Sequence, residues 1–168
     1  SENEMAGAST GGLDQNASMR CTAGHALLLD CRPELTPLEN VSQQEFDLDK
    51  YNLELLVVDT QAPHQLNDGQ YAQRRATCEE AAKILGVANL RVTADGISKA
   101  DDQFQALKET LDALPDETMK KRVRHVVTEI ERVRSFVRAF AQGDIKAAGR
   151  LFNASHDSLA ADYEVTVP

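Results

Sequence analysis

Few residues in this chain have types and spacing suited to chemistry. The segment Thr10-Gly11-Gly12-Leu13-Asp14-Gln15 sets two glycines directly before an acid that opens a short helical stretch. Glycine lacks a Cβ and tolerates positive φ, so a backbone here can approach a ligand closely. The same pattern suits a tight turn with Asp14 as an ordinary helix N-cap, and on local pattern alone the turn is the favoured reading. Glu2 and Glu4 lie close to Asp14 in sequence, and such carboxylates can hold magnesium through one or two oxygens, although solvated surface acids are far commoner. Tyr71 opens a helix on the side of its core positions, with Arg74 and Arg75 following; its phenol suits either a ligand contact or a buried ring with a satisfied hydroxyl.

The other candidates read as structural. His25, His64, His125 and His156 share no spacing, and none stands at a ligand interval from a cysteine. Cys78 on an apolar helix face reads as a small buried hydrophobe. Lys120, Lys121, Arg122, Arg124, Arg132, Arg134 and Arg138 raise a nucleic-acid reading, but no aromatic residues interleave for stacking and the chain is acidic. A solvated helix face is the better account.

Composition supports this. The chain has 168 residues, 42% hydrophobic, with 18 Lys+Arg against 27 Asp+Glu for a formal charge of -9. That allows a packed core and argues against a general binder of phosphate backbones. No apolar run reaches the roughly 18 residues that would cross a bilayer, and no basic segment followed by an apolar stretch opens the chain. Three cysteines, Cys21, Cys31 and Cys78, fit neither a disulfide framework nor a zinc pattern, so a reducing compartment is expected. The chain opens without an initiator Met and stops directly after a helical pattern, so both ends read as cut from something longer.

The elements that must position these residues change in kind along the chain. The first third is turn-rich, with strand-like runs at His25–Cys31 and Asn52–Thr60, the second patterned as a strand buried on both faces. Between them Pro33 and Pro37 point to loops or an edge strand. From about Gln61 apolar residues recur at steps of three and four, which is helix spacing. A first helix is expected over Gln70–Leu85, with Tyr71, Cys78, Ala82 and Leu85 on one face. A second carries Ala100, Phe104, Leu107, Leu111 and Leu114, with Ser98 as N-cap and Pro115 as stop. The third shows Met119, Val123, Val126, Ile130, Val133, Val137 and Phe140 in strict steps, closed by Gly143. Asp144 then caps a fourth bearing Ile145, Ala148, Phe152 and Leu159. The shift near Gln61-Ala62-Pro63 is the expected domain boundary.

The order of several short motifs is more specific than any one alone. Glu2-Asn3-Glu4-Met5-Ala6-Gly7, Gly11-Gly12-Leu13-Asp14-Gln15 and Gly24-His25-Ala26-Leu27-Leu28-Leu29-Asp30-Cys31-Arg32 resemble the middle of the galactokinases, within the GHMP kinase family. The likeness continues through His64 and Leu66, Tyr71-Ala72-Gln73-Arg74-Arg75, Cys78-Glu79, Arg124-His125-Val126-Val127-Thr128-Glu129, Ser155-His156-Asp157-Ser158-Leu159 and Asp162-Tyr163-Glu164-Val165. The resemblance implies an α+β, GHMP-kinase-like fold. Residues 1–62 would end a sheet-containing, sugar- and ATP-binding domain, and residues 63–168 would begin a mostly helical one, with the active site in the cleft between them.

The same resemblance implies transfer of the ATP γ-phosphoryl group to the anomeric hydroxyl of galactose. Asp14 would face that hydroxyl as general base, with Leu13 in place of the family's usual Met. Gly11 would meet the sugar with its backbone, Tyr71 with its hydroxyl, and Glu2 would stand near Mg2+. Galactose and ATP are then the expected partners of a cytoplasmic monomer, with neither nucleic acid nor membrane. The family's arginine that pairs with the catalytic Asp, its Gly- and Ser-rich phosphate loop and its C-terminal glycine-rich motif have no counterpart in these residues, so the chain alone is expected to be inactive. A non-catalytic sensor of galactose and ATP, a kinase for a related sugar such as N-acetylgalactosamine, and a purely helical interaction domain are the competing readings.

Overall fold

A computed structural model of the chain describes residues 12–32, 34–59, 61 and 69–166. Helix α1 (Leu13–Arg20) leads into a hairpin of β1 (His25–Leu29) and β2 (Val41–Glu45), and a 3-10 turn follows at Asp49–Tyr51. Five helices come next: α2 (Gln70–Ile84), α3 (Leu90–Ser98), α4 (Gln103–Asp112), α5 (Glu117–Ala141) and α6 (Ile145–Ser158). A π-helical turn, Leu159–Tyr163, ends the series.

The hairpin is antiparallel, with His25 opposite Glu45 and Leu29 opposite Val41. β2 has the proline-flanked, mostly exposed character of the expected edge strand. It is the second strand expected, Asn52–Thr60, that does not form. Leu55, Leu56, Val57 and Val58 are 78%, 86%, 91% and 68% exposed and belong to no strand. A strand buried on both faces needs neighbours along its edges and layers above and below, and none of the described residues supplies them.

The helical part follows its periodicity except at Val133 and Phe152, two members of the expected stripes that are 42% and 61% exposed. α5 is the central column, and Val123 on its inner face is fully buried. Ala81, Ala82, Leu90, Ala94, Leu114, Met119 and Val127 complete the core around it. Both ends of α5 are fixed by sequence: Asp116 accepts a hydrogen bond from the Met119 amide at 2.8 Å, and Gly143 follows the last turn at φ 73°. A Cβ on Gly143 would also stand 3.3 Å from Tyr51 Oη, so this position excludes larger residues twice over.

The second helix differs from expectation. α3 and α4 are separate, α4 is capped by Asp102 rather than Ser98, and Phe104 is 80% exposed. Asn89 starts α3 by accepting from the Arg91 and Val92 amides. Within α3, Thr93 Oγ1 is buried without a hydrogen-bond partner among the described residues. Burying a hydroxyl unpaired costs on the order of 1–3 kcal/mol, so Thr93→Val, nearly isosteric, is expected to raise stability by about 1 kcal/mol in urea unfolding.

Aromatic rings join the hairpin to the helices. Phe46 stacks on Phe140 with centroids 4.6 Å apart, Tyr51 meets the same ring edge-on at 5.5 Å, and Phe136 packs edge-on against Phe152 of α6 at 4.7 Å. These contacts set the strands, and through them α1, against the C-terminal end of α5.

Candidate functional site

Asp14 lies in the first turn of α1 and is exposed. It is not the N-cap. That place belongs to Gly12, in the left-handed region at φ 71°, whose carbonyl accepts both the Asn16 backbone amide at 3.0 Å and Asn16 Nδ2 at 2.8 Å. A carboxylate in the first turn of a helix is favoured by the helix dipole and by unpaired amides nearby. Among the described residues nothing hydrogen-bonds or ion-pairs with the Asp14 carboxylate, which leaves it open to a ligand. α1 is itself tied down: Arg20 donates to Asn40 Oδ1 at 3.1 Å and to the Pro37 carbonyl, while Gln43 Nε2 donates to the Arg20 carbonyl at 2.6 Å.

Tyr71 lies in the first turn of α2 and is 52% exposed, not on the buried face expected for it; that face meets the core from Cys78 onward, with Ala81 and Ala82 fully within it. Gly11 and Glu2 lie outside the described residues, as does the expected boundary at Ala62-Pro63. Among the described residues no hydrogen bond or ion pair joins Asp14 to Tyr71. No group of three or more His, Cys, Asp or Glu there could hold a metal ion.

A large cleft, about 840 Å³, opens between the end of β1 and helices α2, α3 and α5. Its floor is apolar, with Leu28, Val126, Ile130 and Val133, and neither Asp14 nor Tyr71 lines it. On its rim Asp30 pairs with Arg32 at 2.9 Å and with Arg91 at 3.3 Å. Burial pushes the Asp30 carboxyl up, but the hydrogen bonds from Arg32 and the charges of Arg91 and Arg32 outweigh it and hold it below the usual carboxylate value.

The densest polar cluster gathers where the chain ends. Arg122 is buried and donates to the Asp162 carbonyl and, at 2.6 Å, to Glu164 Oε2. Arg124 Nε reaches Asp162 Oδ1 at 3.1 Å. Tyr163 stacks on His125 with centroids 4.5 Å apart, and His125 Nδ1 lies 2.9 Å from Ser158 Oγ. The reading of all these cations as a solvated face fails for Arg122. Its spacing was informative: three residues after Met119 and four before Val126 is a place on the buried stripe. His125 is buried and Cys78 packs half-buried against the core, where burial pushes its thiol pKa up.

Burial lowers the His125 pKa, with Arg132 and Arg122 adding to the effect and Glu129 and Asp162 opposing it. The folded protein therefore binds this proton more weakly than the unfolded chain does. The resulting stability is fully present above the unfolded pKa of about 6.5 and is lost as pH falls through the lower folded value. The urea midpoint should fall between pH 7 and pH 5, and His125→Gln should flatten that fall.

No protein-family profile matches the chain. Individual proteins do. The galactokinase of Streptomyces coelicolor is 41% identical over 170 residues and that of Haemophilus influenzae 39% identical over 167 residues, each alignment covering 99% of this chain and 40% of the relative. A crystal structure of Lactococcus lactis galactokinase complexed with galactose superposes with a TM-score of 0.74 at 30% identity, again over 99% of this chain and 40% of that one. The chain thus spans 40% of the length of the relatives it matches. Fold and sequence together match part of the α+β, GHMP-kinase-like fold of these galactokinases. The relatives to which it is similar over 99% of its own length are galactokinases.

Proposed function

We propose that these residues serve a galactokinase, which transfers the γ-phosphoryl group of ATP to the anomeric hydroxyl of galactose and yields galactose 1-phosphate and ADP. The observation that carries this reading is identity near 40% with galactokinases over 99% of the chain. The carboxylate of Asp14, exposed and without a partner among the described residues, on a tethered helix, supports the role assigned to it.

In the reaction the anomeric oxygen forms its bond to the γ-phosphorus, the bond from that phosphorus to the β-γ bridging oxygen breaks, and ADP leaves. The hydroxyl proton passes to Asp14. Proton transfer accompanies formation of the bond to phosphorus, and Asp14 also orients the nucleophile. Phosphoryl transfer depends mainly on positioning and charge neutralisation, which suits that division of labour.

Tyr71 and the Gly11 backbone are assigned to the sugar, and Glu2 to the neighbourhood of the magnesium ion that accompanies ATP. Magnesium would supply charge neutralisation at the phosphates. Residues 1–62 are assigned to the sheet-containing domain and 63–168 to the helical one, in a cytoplasmic monomer. Titration calorimetry on the gene product that contains these residues tests the substrate. Galactose binding that is weakened by Tyr71→Phe supports the assignment, and binding of another sugar in preference to galactose overturns it.

A further inference from the structure

The first turns of α2 are exposed among the described residues. Gly69, Gln70, Tyr71, Ala72 and Gln73 are all exposed, and the buried residues of this helix, Ala81 and Ala82, lie toward its other end. Gly69 occupies the N-cap at φ 74° and has no side chain to cap the first turn. Arg74 joins this end of α2 to the last described turn of the chain. Its Nε donates to the Tyr163 carbonyl at 2.8 Å, its Nη2 to the Glu164 carbonyl at 2.5 Å, and its guanidinium lies 5.9 Å from the centre of the Tyr163 ring.

The acceptors of Arg74 are themselves held in an unusual shape. Residues Leu159–Tyr163 form a π-helical turn, and Glu164 then takes φ 55°, a left-handed conformation that a residue with a Cβ enters at a cost. Such a conformation persists where its surroundings over-determine it. Here Arg122 grips the Asp162 carbonyl and the Glu164 carboxylate from α5, Lys121 reaches Glu164 Oε1 at 3.3 Å, and His125 stacks on Tyr163. Two carbonyls are thereby presented side by side to one guanidinium, whose planar fork suits them.

Arg74 stands three residues after Tyr71, a spacing that puts the two on neighbouring positions of one helix face. Burial, with Cys78 and Tyr71 nearby adding to it, pushes the Tyr163 pKa up. We propose that Arg74 is a positioning residue: by tying the first turns of α2 to the Tyr163–Glu164 turn, it presets Tyr71 for its ligand. This rests on the reading of Tyr71 as a sugar contact.

The test compares Arg74→Met, which keeps the apolar stem, with Arg74→Lys and with Arg75→Met, a neighbour whose pairing is to Glu79 of the same helix. Because the first amides of a helix lack intrahelical acceptors, hydrogen exchange is read on Gln73–Cys78. A hydrogen bond from a charged donor is worth enough that Arg74→Met should speed exchange there about tenfold, with Arg74→Lys intermediate and Arg75→Met and the Val123–Val127 amides unchanged. Unchanged exchange in Arg74→Met overturns the anchoring. In the gene product, Arg74→Met should raise the KM for galactose about tenfold and leave kcat within about threefold, the signature of lost ground-state binding. A fall in kcat at constant KM overturns the positioning role. Should the gene product bind no galactose, the sugar-contact reading of Tyr71 falls, and exchange at Gln73–Cys78 still decides whether Arg74 anchors the helix.

Discussion

In the gene product, Asp14→Asn is expected to lower galactose-dependent turnover by about 100- to 10,000-fold, the range of a lost general base. The change removes the proton acceptor and the charge while keeping the shape. Asp14 is exposed, bonds to no other described side chain and is not the cap of its helix, so folding should hardly notice its loss. Thermal unfolding should therefore stay within about 0.5 kcal/mol of the parent, as for surface substitutions. Since ordinary orientation by Asn survives in part, galactose binding should weaken far less than turnover. A variant that unfolds, or that turns over normally, would remove Asp14 from the chemistry.

The second large effect concerns stability. Arg122→Met should cost about 2–3 kcal/mol, because a buried guanidinium that satisfies a carbonyl and a carboxylate is replaced by a side chain that can do neither. The figure sits below that for a fully buried ion pair because Glu164 is half exposed. Urea unfolding should show it as a lower midpoint with an unchanged slope. Arg138→Met is the contrast: its pair with Glu131, 2.7 Å long, lies at the surface and should be worth less than about 1 kcal/mol. Equal losses in the two variants would contradict the view that Arg122 holds the end of the chain in place.

The helices were legible where burial imposes a period. Met119, Val123 and Phe140 are buried along α5 as their spacing requires, while Val133 is exposed, and Asp144 caps α6 by accepting from the Ala147 amide at 2.9 Å. Helix α3 was missed because it has only nine residues and a glycine near its end, although Asn89 before Leu90, Ala94 and Ile97 carried both a cap and a stripe. Leu53–Asp59 has strand composition, but a strand is a property of its neighbours, and none is present among the described residues. At the site, the sequence placed Asp14 at the start of a helix. It did not tell that Gly12 takes the cap through a left-handed backbone, which depends on φ rather than on a side chain. Arg122 escaped because charge suggested solvent, whereas its position on the stripe of α5 pointed inward. The partnership of Arg74 with Tyr163 and Glu164 joins residues far apart in the chain, and no local pattern reveals it.

The most direct test of the galactokinase reading follows ADP release by the gene product with ATP, magnesium and a panel of sugars, with identification of the phosphorylated product. Galactose-dependent release that yields galactose 1-phosphate is the predicted result. Galactose binding without ADP release, or phosphate appearing on another sugar in preference, would contradict it.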